Sequence, residues 1–403
     1  MNAGAFSNNT SKFLQQLRIE LRSELDGILN WWSTVAVDAA QGGFYGAVNN
    51  NNEPDVAAPK GAVMMARVCW AFSEATRFHP HKEWEMMASR AFNYLVDNFW
   101  DHDYGGTFWA VNAKGEMLED RKQIYGQAFC LYAFAAYYRI SNNGMALHLA
   151  KDLYEYIETY SRDRLNGGYV EAFGRNWSPI EDLRLSSKDE NYSKTANTHL
   201  HIIEAYTQLY REWPAEELKQ CIQNLLDIFD HHFITKQGEL RLFFNDEWQD
   251  KTPLRSFGHE IETAWLLQDC ATVINDNERL HCFKQHSLHL AQAALQAMDN
   301  DGGLWYEWFP TEDKWVREKH SWPQAEAMLA FVVLWQQTGD EVWWQRALDS
   351  WHFIKKYISD GNAGEWFWGV DAQYEIMKAD KGGFWKCPYH NTRAILEILY
   401  RLT

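Results

Sequence analysis

Gly42-Gly43-Phe44-Tyr45-Gly46 separates two runs of helical periodicity, and its relatives recur at a fixed interval down the chain. Upstream, Ser11 to about Trp32 carries Phe13, Leu14, Leu17, Ile19, Leu21, Leu25 and Leu29 near helical spacing; downstream, a second run goes from about Ala57 to Phe78. Tyr104-Gly105-Gly106-Thr107-Phe108-Trp109 lies in the same way between runs at about 83–99 and 119–141. Asn166-Gly167-Gly168-Tyr169 lies between 144–160 and 192–213. Gly238-Glu239-Leu240, a weaker copy with one glycine, lies between 215–232 and 256–276. Asp301-Gly302-Gly303-Leu304-Trp305-Tyr306 lies between 279–299 and 320–338, and Gly361 to Trp368 between 341–358 and 388–402. The markers Gly43, Gly106, Gly168, Gly238, Gly303 and Gly364 stand about 60–70 residues apart, and self-similarity at a fixed period signals a repeat architecture.

Six helix pairs, each joined by a long Gly/aromatic loop, can close into a ring. The second helix of each pair is the more apolar, as in Ile202-Ile203-Glu204-Ala205-Tyr206 or Ala327-Met328-Leu329-Ala330-Phe331, so these helices should form the inner ring and their amphipathic partners the outer one. The expected fold is all-α: an (α/α)6 barrel of twelve helices, a single domain over 1–403, with short β-hairpins in the intra-pair loops. An unclosed solenoid fits less well, because both ends of the chain look apolar rather than capped. Ser178 to Lys194, rich in Ser, Asp, Glu and Lys, is the longest polar loop and reads equally as a mobile lid or a solvated excursion.

Composition narrows the partners. Of 403 residues 46% are hydrophobic, enough for a large core, and 21 are tryptophan, an excess over packing needs that suits a carbohydrate-facing surface. A net charge of -17 argues against nucleic acid or an anionic membrane as partner. Cys69, Cys130, Cys221, Cys270, Cys282 and Cys387 are dispersed and form no Cys-x-x-Cys pair, as expected of reduced buried thiols in a cytoplasmic protein. Met1 to Gln15 lacks an apolar core of signal-peptide length, no later apolar run reaches about 18 residues, and the sequons at Asn8, Asn176 and Asn191 are read as chance.

The reactive residues keep phase with the repeat. Near the N-terminal part of each inner helix stand, in order, Arg67; Tyr125; Asn197 with His201; His259 with Glu262; Trp322 with Glu326; and His390. In a closed ring all six ends face one mouth, so side chains far apart in sequence meet there. Asn197 and His201, four apart, share a helix face, whereas His199 points away and reads as structural. His259 and Glu262, three apart, let the carboxylate orient the ring. Ser256 is a plausible cap for that helix, Ser321 with Gln324 reads as a capping box, and Pro388 suits a first turn, which puts His390 at a helix N-terminus and Trp385 in the loop before it. Positive charge at such a terminus disfavours imidazolium and keeps the histidine neutral. Each residue also has a packing role open to it: Arg67 could pair a buried acid, and Tyr125 could be core. A zinc shell of His201, His259, His390 and Glu262 is the metal-based alternative, without an H-E-x-x-H motif or a cysteine cluster behind it. No phosphate-binding glycine loop is present.

Two neutral imidazoles beside an arginine suit proton transfer at a carbon next to a carbonyl. An open-chain aldose has a weakly acidic proton at C2, and its removal gives an enediolate. Arg67 could hold the enediolate oxygens, with Tyr125 and Asn197 as further donors, while His201 could serve ring opening. Return of the proton at C2 on the other face gives the 2-epimer; return at C1 gives a ketose.

Lys194-Thr195-Ala196-Asn197-Thr198-His199-Leu200-His201-Ile202-Ile203-Glu204-Ala205-Tyr206-Thr207 resembles the N-T-H-L-H-x-x-E-A-Y-T signature of cellobiose 2-epimerases, in the N-acylglucosamine 2-epimerase superfamily. Similar too are Lys60-Gly61 with Arg67, Gln123 to Phe129, Ser256 to Glu262, Trp322-Pro323-Gln324-Ala325-Glu326, and Trp385 to His390. The resemblance spans nearly the whole chain. It implies an (α/α)6 barrel needing no metal or nicotinamide, with His259 and His390 as acid/base pair and His201 assisting ring opening. It implies that Arg67 and Asn197 hold the reacting end and that Trp322 and Trp385 stack on sugar; Tyr125, Glu262, Trp308 and Glu326 complete the expected substrate contacts. The expected partner is a small disaccharide and the expected state a monomer or weak homodimer. An aldose–ketose isomerase, an inverting glycosidase using Glu262 and Glu326, and a non-catalytic sugar-binding protein are the competing functions.

Overall fold

The computed structural model describes residues 8–361 and 363–402, with side chains from Leu14 onward. Residues 1–7 of the stretch read above for a leader, and the side chains of Asn8 and Phe13, lie outside the described residues. The described residues form twelve α-helices: α1 (Asn8–Thr34), α2 (Ala62–Phe78), α3 (Lys82–Asn98), α4 (Ile124–Ser141), α5 (Gly144–Tyr156), α6 (Ala196–Glu212), α7 (Glu216–Ile228), α8 (Phe257–Val273), α9 (Asn277–Ala294), α10 (Ser321–Thr338), α11 (Glu341–Phe353) and α12 (His390–Arg401). The even-numbered helices pack side by side, and α12 returns to α2, so the ring is closed. Residue type decides the layer. In α2 every residue from Ala62 to Thr76 is buried, because both faces meet protein. In α3 only a stripe of Trp84, Ala88, Ala91, Phe92, Tyr94 and Leu95 is buried, the one-sided pattern of an outer helix. The result is the expected (α/α)6 barrel. Among the described residues no helix is long and apolar enough to cross a membrane.

Strands differ from expectation in what they join. Hairpins do occur inside loops, as where Glu307–Phe309 pairs with Lys314–Val316. Six further antiparallel pairs instead link neighbouring rounds: Lys60–Gly61 with Ala110–Val111, Lys122–Gln123 with Ala172–Phe173, Lys194–Thr195 with Phe243–Phe244, Arg255–Ser256 with Glu307–Trp308, Lys319–His320 with Gly369–Val370, and Gly382–Gly383 with Ala47–Val48. The last pair joins round six to round one. These extended residues give their backbone hydrogen bonds to the neighbouring round, so helices expected from about 57, 119, 192 and 388 begin only at Ala62, Ile124, Ala196 and His390. Pro388 therefore precedes the helix rather than opening it, with Tyr389 as N-cap.

In five of the six rounds an ion pair fixes the loop to the strand before its inner helix. Lys60 meets Asp38 at 2.8 Å, Lys122 meets Asp101 at 2.8 Å, Lys194 meets Asp163 at 2.8 Å, Lys319 meets Asp299 at 2.9 Å, and Lys381 meets Asp360 at 2.6 Å. In the first three rounds the aspartate starts an Asp-x-x-x-Gly-Gly turn whose two glycines both take positive φ, for example 72° and 71° at Gly105 and Gly106, where a side chain would be strained. The fourth round lacks the second glycine and breaks the pattern here too: Thr235 stands at the aspartate position and Arg255 pairs with Glu260 at 2.8 Å. The polar loop 178–194 is tied down by Gln123 and Arg121, whose side chains donate to the Leu183 and Arg184 carbonyls. Removing one member of a buried pair strands the other charge. Lys60→Met should therefore lower the unfolding free energy by about 3–5 kcal/mol, read from urea denaturation; a loss near zero would show that the pairs do not hold the loops.

Candidate active site

The mouth collects side chains from all six inner helices. His390 is the first residue of α12, and His259 the third of α8. Between them stands the Trp322 indole, its ring centroid 4.9 Å from His259 and 5.4 Å from His390. Trp322 lies flat against α8 because residue 258 is glycine; a Cβ there would come within 2.3 Å of the indole. On the opposite wall Arg67, buried in α2, donates to the Tyr125 hydroxyl at 2.7 Å and sits over the rings of Phe129 and Tyr389 at 4.2 and 4.6 Å. Tyr125 meets the His201 ring edge-on at 5.0 Å and Trp385 at 6.1 Å. Gly61 leaves room for Phe384, whose ring a Cβ would approach to 2.6 Å, and Phe384 in turn packs on Trp385 at 5.4 Å. Asn197 is half-buried on the first turn of α6. Trp308 lies on the hairpin beside the start of α8, stacked on Trp315 at 5.3 Å.

The partners of the histidines differ from those the spacing suggested. His259 Nδ1 meets Ser256 Oγ at 2.8 Å, so Ser256 serves the ring and makes no side-chain cap to the helix. Glu262 does not orient His259. It is drawn instead to the guanidinium of Arg393 and lies 3.9 Å from His390 Nδ1. His390 Nδ1 meets Glu326 at 2.7 Å, and His201 Nδ1 meets Glu204 at 2.9 Å. A carboxylate only accepts, so these bonds place the ring proton on Nδ1 and leave Nε2 as the free base. The Ser321–Gln324 capping box is also absent: Gln324 donates to the Leu304 and His320 carbonyls and accepts from the Leu304 N–H. His199 is structural as expected. Its Nδ1 bonds the Thr195 carbonyl, its Nε2 accepts from the Tyr169 N–H, and burial pushes it down to about 3.

Arg393, which no motif in the sequence singles out, ties this set together. Its guanidinium contacts Glu204, Glu262, Tyr389 and, at 2.7 Å, Glu326. Tyr389 also donates to Glu204 at 2.5 Å. Burial pushes the Glu204 carboxyl up, yet the Arg393 charge and the His201 bond outweigh it and hold the group down at about 2. Glu262 and Glu326 are fully buried, and both are bonded to Arg393. The signal was available, since Arg393 follows His390, and Glu204 follows His201, by three residues on one helix.

Among the described residues Glu262, Glu326 and His390 offer donor atoms within 4.8 Å of one another. His201 and His259 are not part of that group, so the four-residue zinc shell does not assemble. The guanidinium of Arg393 already supplies a positive charge to both carboxylates.

Burial lowers the basicity of His259, with Glu262 opposing, and lowers that of His390 further, with Glu262 opposing and Arg67 and Arg393 adding to the effect. Both rings keep an edge toward the mouth, His390 with 16% of its side chain exposed, and this contact with water tempers the shift without reversing it. Side-chain nitrogen NMR should therefore find both rings titrating below the ordinary histidine value of 6.5, His390 lower than His259, with neutral His390 in its Nδ1–H form; a raised titration at either position would contradict the geometry.

The family model for N-acylglucosamine 2-epimerase matches residues 43–394. A cellobiose 2-epimerase of Bacteroides fragilis is 40% identical over 386 residues, covering 95% of this chain and 98% of that protein. The solved structure of cellobiose 2-epimerase from Bacillus thermoamylovorans superposes with a TM-score of 0.92 at 37% identity, covering 96% of this chain and all (100%) of the other. More distantly, a D-mannose isomerase of Thermobifida fusca is 25% identical over 322 residues, 74% of each chain. A full-length match of this kind, on a ring that brings the same motifs to one mouth, makes the chain a member of the N-acylglucosamine 2-epimerase family.

Proposed function

We propose that the chain catalyses reversible 2-epimerisation of the reducing-end glucose of β-1,4-linked disaccharides, converting cellobiose to 4-O-β-glucosyl-mannose and lactose to epilactose. The observation that carries this is the pair of first-turn histidines, both of lowered basicity, on either side of Trp322. Trp322 and Trp385 stack on the sugar. His201 moves the proton that opens the reducing-end ring, and Asn197 holds the aldehyde end. One of His259 and His390 then removes the C2 proton through its free nitrogen. The electron pair passes into the carbonyl, and the enediolate charge falls toward Arg67 and the Tyr125 hydroxyl it polarises. The other histidine, protonated from solvent at its free nitrogen, returns that proton to C2 from the opposite face, and the first then gives its proton up to solvent. By microscopic reversibility the acid of one direction is the base of the other, so a single site serves both epimers. No atom is gained or lost, and the reaction needs no oxidant or metal.

Hydrolysis fits the same residues poorly. An inverting glycosidase needs two carboxyl groups about 6.5–9.5 Å apart across the scissile bond, and a retaining one about 5–5.5 Å. Glu262 and Glu326 have donor oxygens within 4.8 Å and share one guanidinium. Isomerisation to a ketose differs only in returning the proton to C1, and the likeness to a D-mannose isomerase supports testing it.

Incubation with cellobiose in D2O should give glucosyl-mannose carrying deuterium at C2, seen by NMR. A ketose from mannose but no epimer from cellobiose would favour the isomerase, and free glucose would favour hydrolysis. His259→Ala and His390→Ala should each lower kcat by about 10²–10⁴-fold while thermal melting stays near that of the unaltered chain. Because the base must be neutral and its basicity is lowered, kcat should hold as pH falls through 6.5, the ordinary histidine value, and decline only at lower pH.

A further inference from the structure

Among the described residues, one buried charge cluster joins the carboxylate partners of two of the three mouth histidines. Arg393 is 2% exposed and lies between the faces of Trp265 and Tyr389, with its centre 5.0 and 4.4 Å from their centroids, so the guanidinium plane is fixed. One fork touches Glu204, which holds His201 Nδ1. The other touches Glu262 and Glu326, and Glu326 holds His390 Nδ1. His259 hangs instead on Ser256, outside this cluster.

We propose that Arg393 is a positioning residue that sets the ring orientation and tautomer of His201 and His390 together, through Glu204 and Glu326, and leaves the tautomer of His259 to Ser256. The proposal rests on the epimerase reading for its consequence in turnover, but not for its geometry. A guanidinium is suited to the task because its planar fork can bond several carboxylate oxygens at fixed angles, which a single ammonium cannot. Burying an arginine with three carboxylates is a poor way to gain stability, since desolvation consumes most of the attraction, so a directional role accounts better for the cluster. The same arrangement holds an imidazolium in check: when His390 takes up a proton at Nε2, the Nδ1–H already faces a carboxylate whose own charge is shared with Arg393.

The test compares Arg393→Lys, which keeps the charge and loses the fork, with the unaltered chain, after circular dichroism has shown both folded. Misplacing a catalytic group by about 1 Å costs on the order of 100-fold, so kcat on cellobiose should fall about that far with KM nearly unchanged. In nitrogen NMR the His201 and His390 rings should lose their single Nδ1–H form while His259 keeps its tautomer. Glu204→Gln, which cuts one branch only, should disturb His201 and spare His390, and it carries the test if the lysine variant does not fold. Unaltered His201 and His390 signals, or a change at all three histidines alike, would overturn the proposal. If the unaltered chain epimerises nothing, the functional reading fails, and the NMR comparison still decides the role of Arg393.

Discussion

Six helix pairs make a ring only if the last round bonds to the first, and everything at the mouth depends on that closure. It is made by backbone, where Gly382–Gly383 pairs with Ala47–Val48, and by packing, where Phe384 fills the space left by Gly61. The same segment carries Trp385 and leads into His390. Closing the ring therefore brings the last histidine to Arg67 and Tyr125 of the first two rounds. An open solenoid of the same helices would spread these residues along a groove. The repeated Lys–Asp pairs tie the loops of five rounds to the strands before their inner helices.

The chemistry follows from how charge is distributed within that closed space. Side chains at helix starts face positive backbone ends, and burial penalises the imidazolium further, so the basicity of His259 and His390 is lowered. Positive charge is placed behind and beside them. Arg67 is set against aromatic faces, with a tyrosine hydroxyl as its close polar contact, and can meet a developing oxyanion. Arg393 faces three carboxylates and the Tyr389 hydroxyl instead. Two arginines of the same type thus have separate tasks, decided by what surrounds them.

Local signals made the architecture legible. Glycine pairs mark turns because they take positive φ, and continuous against striped apolarity separates inner from outer helices. The phase of Arg67, Tyr125, Asn197, His201, His259, Trp322 and His390 with the repeat pointed to one mouth, and the structure assembles them there. What sequence alone missed is non-local. Helix starts were read too early because the extended residues before them bond strands one round away. Glu262 was assigned to His259 by spacing alone, whereas a guanidinium 131 positions later claims it. Arg393 itself looks like a surface residue of the last helix until three other helices close around it.

In the proposed reaction the two histidines address one carbon of an open-chain sugar. A crystal structure of the chain with cellobiitol, the reduced open-chain relative of cellobiose, tests it most directly. The account predicts C2 of the open-chain unit between the rings of His259 and His390, with its terminal oxygens toward Arg67 and the intact glucose outward in the mouth. A glycosidic oxygen placed against Glu262 and Glu326, or an open-chain end pointing away from both histidines, would contradict it.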